Sequence, residues 1–167
     1  MIRSATQDDI PALAAMLREL NALHATQVPH RFHDSGDAAG LRAFFETAFA
    51  EGARALLYVT DGVPRGYLLW RIEDRPASAL EPPRRLAVLD HVHVEPIWRR
   101  RGLAGRLVAR FEAESLAAGC TGWIARVHVF NASSAGLMRQ AGAAPAVELF
   151  EKRLQAPSRS SSPAAMP

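Results

Sequence analysis

The sequence predicts an α/β (α+β) domain of three layers, a mixed sheet with helices on both faces, and three observations carry that prediction. Of its 167 residues, 49% are hydrophobic and 22% charged, enough apolar material for one ordinary core. Segments with a two-residue apolar repeat alternate with segments that repeat every three to four residues, in the order β-α-α-β-β-β-α-β-α-β. A central hairpin is antiparallel, whereas the later strand-helix-strand unit needs a crossover, so the sheet is mixed.

Ile2 to Ala5 is a short first strand. From Asp8 to Leu23 the residues Ile10, Leu13, Ala14, Leu17 and Leu20 form one apolar helix face, with Pro11 in the first turn and Thr6 or Asp8 as cap. Ala25 to Asp37 is a loop by its Pro, Gly and Asp content, longer than packing requires. A second helix, Ala38 to Glu51, presents Leu41, Phe44, Phe45 and Ala48 and stops at Gly52. Ala55 to Thr60 and Gly66 to Ile72 are strands joined around Asp61-Gly62. The connector Glu73 to Arg84 holds Pro76, Pro82 and Pro83, and Leu86 to Val94 is the fourth strand. Leu103, Leu107, Val108 and Phe111 define a third helix that closes near Gly119. Trp123 to Val129 reads as a fifth strand, Asn131 to Gln140 as a fourth helix stopped by Gly142, and Val147 to Phe150 as a last strand. Residues 1–154 form the one expected domain, and the Ser-, Pro- and Ala-rich tail 155–167 is expected to be mobile.

One cysteine cannot form an internal disulfide, and no cysteine cluster suggests zinc or iron–sulfur binding. The acidic opening Asp8-Asp9 lacks the apolar core of a signal peptide, and no run of about 18 apolar residues exists. The expectation is therefore a cytoplasmic protein, neither exported nor embedded in a membrane. The net charge of +3, from 20 basic and 17 acidic residues, decides little, but Arg84-Arg85, Arg99-Arg100-Arg101, Arg106 and Arg110 concentrate positive charge mid-chain. That suits an anionic ligand.

In Val92-His93-Val94-Glu95-Pro96-Ile97-Trp98-Arg99-Arg100-Arg101-Gly102-Leu103-Ala104-Gly105 a strand enters a glycine-containing turn that opens a helix. The first amides of a helix have no intrahelical acceptors, and small residues at 102, 104 and 105 let a phosphate approach them. The pattern Arg99-x-x-Gly102-x-Ala104, preceded by Val94-x-Pro96 and Trp98, resembles the GNAT N-acetyltransferase family. So do Asn131-x-x-Ser134 with Gly142, and the opening Ile2-Arg3-x-Ala5-Thr6-x-x-Asp9. The likeness spans about residues 2 to 154.

The resemblance implies a mixed, mostly antiparallel sheet of about six to seven strands, the fourth and fifth splayed. It implies acetyl-CoA as cofactor and CoA as product. The pyrophosphate would be held by Arg99 and by the amides of Arg100, Arg101, Gly102, Leu103, Ala104, Gly105 and Arg106. The pantetheine arm would meet the strand edge at Val92, His93 and Val94, with a backbone amide near Val94 on the thioester oxygen. Asn131, Ser134 and Met138 would line the mouth of the split. Asn131 also reads as an ordinary helix N-cap, and both roles are compatible.

A lysine-like amine must lose a proton before it attacks, at a cost of about 4 to 5 kcal/mol at neutral pH, so a base is useful. His91 is the first candidate, followed by His93 and Asp90; strand alternation puts Asp90 on one face and His91, His93 and Glu95 on the other. Each histidine can equally be a hydrogen-bonded residue of a polar wall. The family commonly has a tyrosine where this chain has Met138, which leaves Ser134, its neighbour Ser133 or water to protonate the thiolate. Ala143 likewise replaces a frequent phenylalanine. His30, Phe32 and His33 of the long loop, with Tyr67, are the candidates for acceptor contact. No third ligand accompanies His91 and His93, so no metal is expected.

The function implied is transfer of an acetyl group to an amine of a small molecule or peptide, by direct attack in a ternary complex. Two alternatives stand beside it, a catalytically weak CoA-binding sensor and an acetyltransferase acting on an RNA-linked acceptor. Aromatic residues do not interleave with the arginines beyond Trp98, which counts against nucleic acid as a partner. A homodimer stays open.

Overall fold

A computed structural model describes residues 1–154; the expected mobile tail, 155–167, lies outside the described residues. Five strands form one sheet in the order β1-β2-β3-β4-β5, namely β1 Ile2–Ser4, β2 Arg54–Thr60, β3 Val63–Arg75, β4 Arg84–Val94 and β5 Gly122–Ala125. The helices are α1 Ile10–Gln27, α2 Ala38–Ala50, α3 Leu103–Ala117 and α4 Ala132–Gln140. The β1–β4 pairings are antiparallel and β4–β5 is parallel, so the sheet is mixed.

Alternation along the strands divides the core in two. Leu57, Tyr67 and Leu69 meet Leu13, Leu17 and Phe45 from α1 and α2. Leu56, Leu68 and Trp70 point the other way, onto Leu107, Phe111 and Met138 from α3 and α4. Trp70 and Phe111 are both fully buried, their rings edge to face with centroids 5.4 Å apart. Each such ring contributes roughly 1.5–3 kcal/mol by burial.

Several boundaries differ from the sequence reading. The β3–β4 hairpin runs further than expected, through Glu73↔Leu86, Asp74↔Arg85 and Arg75↔Arg84, and cuts the connector to residues 76–83. Charged pairs support this extension: Arg85 donates two bonds to Asp74, and Arg75 binds Glu73. The fifth strand ends at Ala125 instead of Val129, and Val147 to Phe150 forms no strand, so the sheet has five strands where six to seven were expected.

Two irregularities position the site. At the Asp61-Gly62 turn both φ angles are positive, 52° and 75°, the geometry a two-residue hairpin loop requires. Between Leu69↔His91 and Trp70↔Leu89 the register skips Asp90, a bulge in β4. Asp90 pairs with Arg71, which shares the β3 face of Tyr67 and Leu69, so the bulge turns Asp90 to the same side as His91. Simple alternation had placed it opposite.

Candidate active site

The turn between β4 and α3 begins with a 3-10 turn, Pro96–Trp98. Arg100 and Gly102 follow with left-handed φ angles of 60° and 76°, and Gly102 caps α3. The first intrahelical bond runs from the Arg106 N–H to the Gly102 carbonyl. Among the described residues, none of the amides from Arg100 to Gly105 donates to a protein acceptor. Six consecutive unpaired N–H groups at the N-terminus of a 15-residue helix fit a diphosphate. The Arg99 Nε donates to the Val94 carbonyl at 2.8 Å and ties the turn to the end of β4. The guanidinium groups of Arg65 and Arg101 each lie over the Trp98 ring, 5.4 and 4.9 Å from its centroid.

β5 pairs with β4 only from Leu86↔Gly122 to Leu89↔Ala125, and β4 continues alone to Val94. The Glu95 N–H donates to Arg65 across β3, so by alternation the N–H groups of Val94 and Val92 turn toward the edge that β5 has left. A cavity of about 190 Å³ occupies this gap. Val92, Asp90 and His91 line one side of it and Ala125 to His128 the other; α1 closes it with Leu17, Leu20, Asn21 and His24, and α4 with Asn131, Ser134 and Met138. Asn131 is also the α4 cap, its Oδ1 accepting from the Ser134 N–H at 3.0 Å. Unpaired amides in the turn, unpaired amides along β4 and a gap between them suit an amide-rich arm that ends in a diphosphate.

Two histidines of the wall have defined tautomers. Tyr67 is fully buried, and its hydroxyl has Nδ1 of His91 as partner at 3.2 Å. Burial pushes the phenol far up, so it keeps its proton and donates, which leaves the His91 hydrogen on Nε2. Burial likewise lowers His91 to about 4, Asp90 opposing the shift and His24 reinforcing it. His91 is therefore a neutral donor near pH 7, stacked against Phe44. In His24 the roles reverse. Its Nδ1 lies 2.9 Å from the Leu20 carbonyl, which can only accept, so the neutral ring carries its lone pair on Nε2. His24 packs against Phe32, His128 and Phe130 with ring centroids 5.2 to 5.5 Å apart. Partial burial lowers His128, with His24 and Arg31 adding to the shift and Glu151 opposing it.

The other sequence candidates are placed as follows. His93 is buried outside the cavity wall, its Nε2 3.3 Å from a Glu19 carboxylate oxygen but not aligned for a hydrogen bond. Burial lowers its pKa, against the pull of Glu19. Asp90 is on the wall, held by two short bonds from Arg71. Phe32 reaches the cavity. His30 lies on the surface beside Glu151, His33 beside Ser35, and Tyr67 sits behind His91 in the core. Sequence reasoning passed over Asn21 and His128 as wall residues. Asn21 had a signal, lying four residues after Leu17 on the inward face of α1; His128 follows β5 without regular structure and had none. Among the described residues no group of three His, Cys, Asp or Glu side chains is arranged for a metal, and no helix is long and apolar enough to cross a membrane.

Comparison with known proteins gives a consistent picture. The chain resembles a mutant of the BH1408 protein from Bacillus halodurans, with TM-score 0.83 at 16% identity over 93% of this chain and 99% of the other. It resembles an aminoglycoside N-acetyltransferase in complex with CoA, with TM-score 0.72 at 18% identity over 93% and 95% of the two chains. A predicted acetyltransferase with acetyl-CoA from Clostridium acetobutylicum gives TM-score 0.72 at 15% identity over 92% and 95%. At these identities the likeness is one of fold. A search of curated proteins finds no match. The sequence model of the Acetyltransferase (GNAT) family matches residues 17–143, well over half of the chain. This protein is thus a member of the GNAT acetyltransferase family, a family of acyltransferases.

Proposed function

We propose that the protein is an N-acetyltransferase that moves the acetyl group of acetyl-CoA to a primary amine bound at the α1 end of the cavity. The observation that carries this reading is the run of unpaired amides from Arg100 to Gly105, continued by the free β4 edge at Val92 and Val94. Acetyl-CoA supplies an activated acyl group. The turn amides would bind its diphosphate, and the Val94 N–H would polarise the thioester carbonyl.

The chain's own groups divide the proton work. His24 Nε2 is the base: it takes the proton of the acceptor ammonium, which frees the nitrogen lone pair. His91, with its hydrogen on Nε2, donates a bond from the opposite wall and cannot act as a base in that tautomer. The new C–N bond forms as the C–S bond breaks. The departing thiolate gains, relayed by water or the Ser134 hydroxyl, the second proton that the nitrogen sheds on becoming an amide, since Met138 offers none. Releasing a thiolate of pKa about 8.5 at pH 7 costs only about 2 kcal/mol, so the missing phenol slows the reaction without blocking it.

Arginine engagement favours a small or peptide acceptor over an RNA-linked one. Arg84, Arg85 and Arg110 pair with Glu81, Asp74 and Glu114 of the protein itself, which offsets part of the basic patch. The direct test measures free thiol released from acetyl-CoA with polyamines, aminoglycosides, amino acids and peptides as acceptors. Turnover with one class is expected; CoA binding without turnover on any would leave a sensor, and absence of CoA binding would end the proposal.

A further inference from the structure

We infer that the acceptor of the proposed transfer is an amino acid with an apolar side chain, and that Arg126 receives its carboxylate while its amine stands at His24. This rests on the acetyltransferase reading and gives that cavity its substrate class. Apart from three histidines, Asp90 and Arg126 are the two ionisable residues that line the cavity among the described residues. The Asp90 carboxylate is already matched, since it accepts two bonds from Arg71 at 2.6 and 2.7 Å. Arg126 is exposed and forms no ion pair or side-chain hydrogen bond among the described residues. The wall therefore holds one unmatched cation.

The sheet places that cation on the side that α1 covers. Ile124 pairs beside Val88 and Arg71 on one face, opposite Trp70, Leu89 and Ala125, and Arg126 shares the Ile124 face by alternation. Its charge reaches Glu73 on that same face: Arg75 holds the Glu73 carboxyl below the usual carboxylate range, Arg71 and Arg126 add to the effect, and burial opposes it. Arg71, Arg75 and Arg126 thus face only Glu73 and Asp90, which leaves one positive charge over. Burial holds His91 and His128 toward the neutral form, so neither supplies the missing negative charge nor adds a second positive one near pH 7.

Charge then discriminates among amines. Polyamines and aminoglycosides carry several ammonium groups and find no unmatched carboxylate on this wall, whereas an amino acid brings the counter-charge that Arg126 lacks. Guanidinium meets carboxylate through a planar, two-bonded contact, which fixes orientation as well as affinity. In an α-amino acid a single carbon separates the carboxyl group from the nitrogen, so holding one aims the other. His24 packs against His128, two residues beyond Arg126, with ring centroids 5.3 Å apart, and base and cation therefore serve the same end of the cavity. Leu17, Leu20 and Phe32 line that end and offer the side chain an apolar contact.

The test is calorimetry on the full chain saturated with CoA, with phenylalanine, 2-phenylethylamine and spermidine as probes. The first two share ring and amine and differ by the carboxylate. Phenylalanine is expected to bind at least ~10-fold more tightly than either of the others. Arg126→Gln, a change at an exposed side chain, is expected to abolish that preference, and Arg126→Lys to keep part of it. Should a variant fail to fold by circular dichroism, the wild-type comparison decides. Equal binding of phenylalanine and 2-phenylethylamine by wild type, tighter binding of spermidine, or a preference that survives Arg126→Gln overturns the inference. Thiol release from acetyl-CoA with the same probes bears on the transfer separately. Phenylalanine bound through Arg126 but never acetylated upholds the carboxylate site and counts against the acetyltransferase reading; preferred acetylation of spermidine upholds that reading and overturns the amino-acid assignment.

Discussion

Replacing Gly102 separates backbone strain from electrostatics in the proposed diphosphate site. A Cβ at 102 meets nothing within 4 Å, so Gly102→Ala adds no clash, but φ is +76° and the left-handed conformation costs about 1–2 kcal/mol. That cost falls on stability and on the shape of the turn. Gly102→Glu adds the same strain and a carboxylate. Two unit charges ~6 Å apart at an effective dielectric of about 40–80 repel by roughly 0.7–1.4 kcal/mol. Against the two charges of a diphosphate that becomes roughly 1.4–2.8 kcal/mol, or ~10- to 100-fold in dissociation constant relative to Gly102→Ala. Calorimetry with CoA measures the difference. Titration with acetyl-pantetheine, which lacks the diphosphate, is the control and should show the two variants equal. If Gly102→Glu and Gly102→Ala bind CoA within twofold of each other, the turn does not hold the diphosphate.

Three further outcomes follow from the geometry. His24→Gln is expected to lower kcat by ~10²–10⁴ with CoA affinity unchanged, and the loss should shrink for acceptors of low pKa that are already neutral; an equal loss for all acceptors would remove His24 as base. The His91 pKa is depressed from 6.5 to about 4, so between those values the unfolded chain takes up a proton that the folded chain refuses, and stability falls as the pH drops. Urea denaturation should show up to roughly 3 kcal/mol less of this loss in His91→Asn than in wild type, a difference absent above pH 7. Gly66→Ala would bring a Cβ to 2.7 Å from the His93 carbonyl and 3.1 Å from Val94, so β3 and β4 must part at about 1–3 kcal/mol, read as a lower Tm together with a raised KM for acetyl-CoA.

What the sequence disclosed about this fold depended on whether a signal was local. The Asp61-Gly62 turn, the α3 cap at Gly102 and the Asn131 cap of α4 are each set by a residue's own backbone preference and stand where the spacing put them. The long end of the β3–β4 hairpin was hidden because Glu73, Asp74, Arg84 and Arg85 look like a loop until the strands pair and Arg85 meets Asp74 across them. The bulge at Asp90 was hidden for a different reason. Alternation assumes an unbroken ladder, and nothing in Leu89-Asp90-His91 announces the extra residue. Hence the sequence placed the ionisable groups of β4 and the shared face of His91 and His93 but not the facing of Asp90, and the Tyr67 bond that fixes the His91 tautomer was out of reach. Val147 to Phe150 has the pattern of a strand, yet it pairs with no strand among the described residues.

The bond from Arg99 to the Val94 carbonyl joins the helix-opening turn to the last residue of the strand whose edge faces the gap. On the acetyltransferase reading, the two grips on the donor are then fixed at a set spacing, and the molecule acts as a gauge of reach. A thioester with a shorter or longer arm can satisfy one end only by releasing the other. Selection among acyl donors would thus be made by length, at a distance from the carbon that reacts.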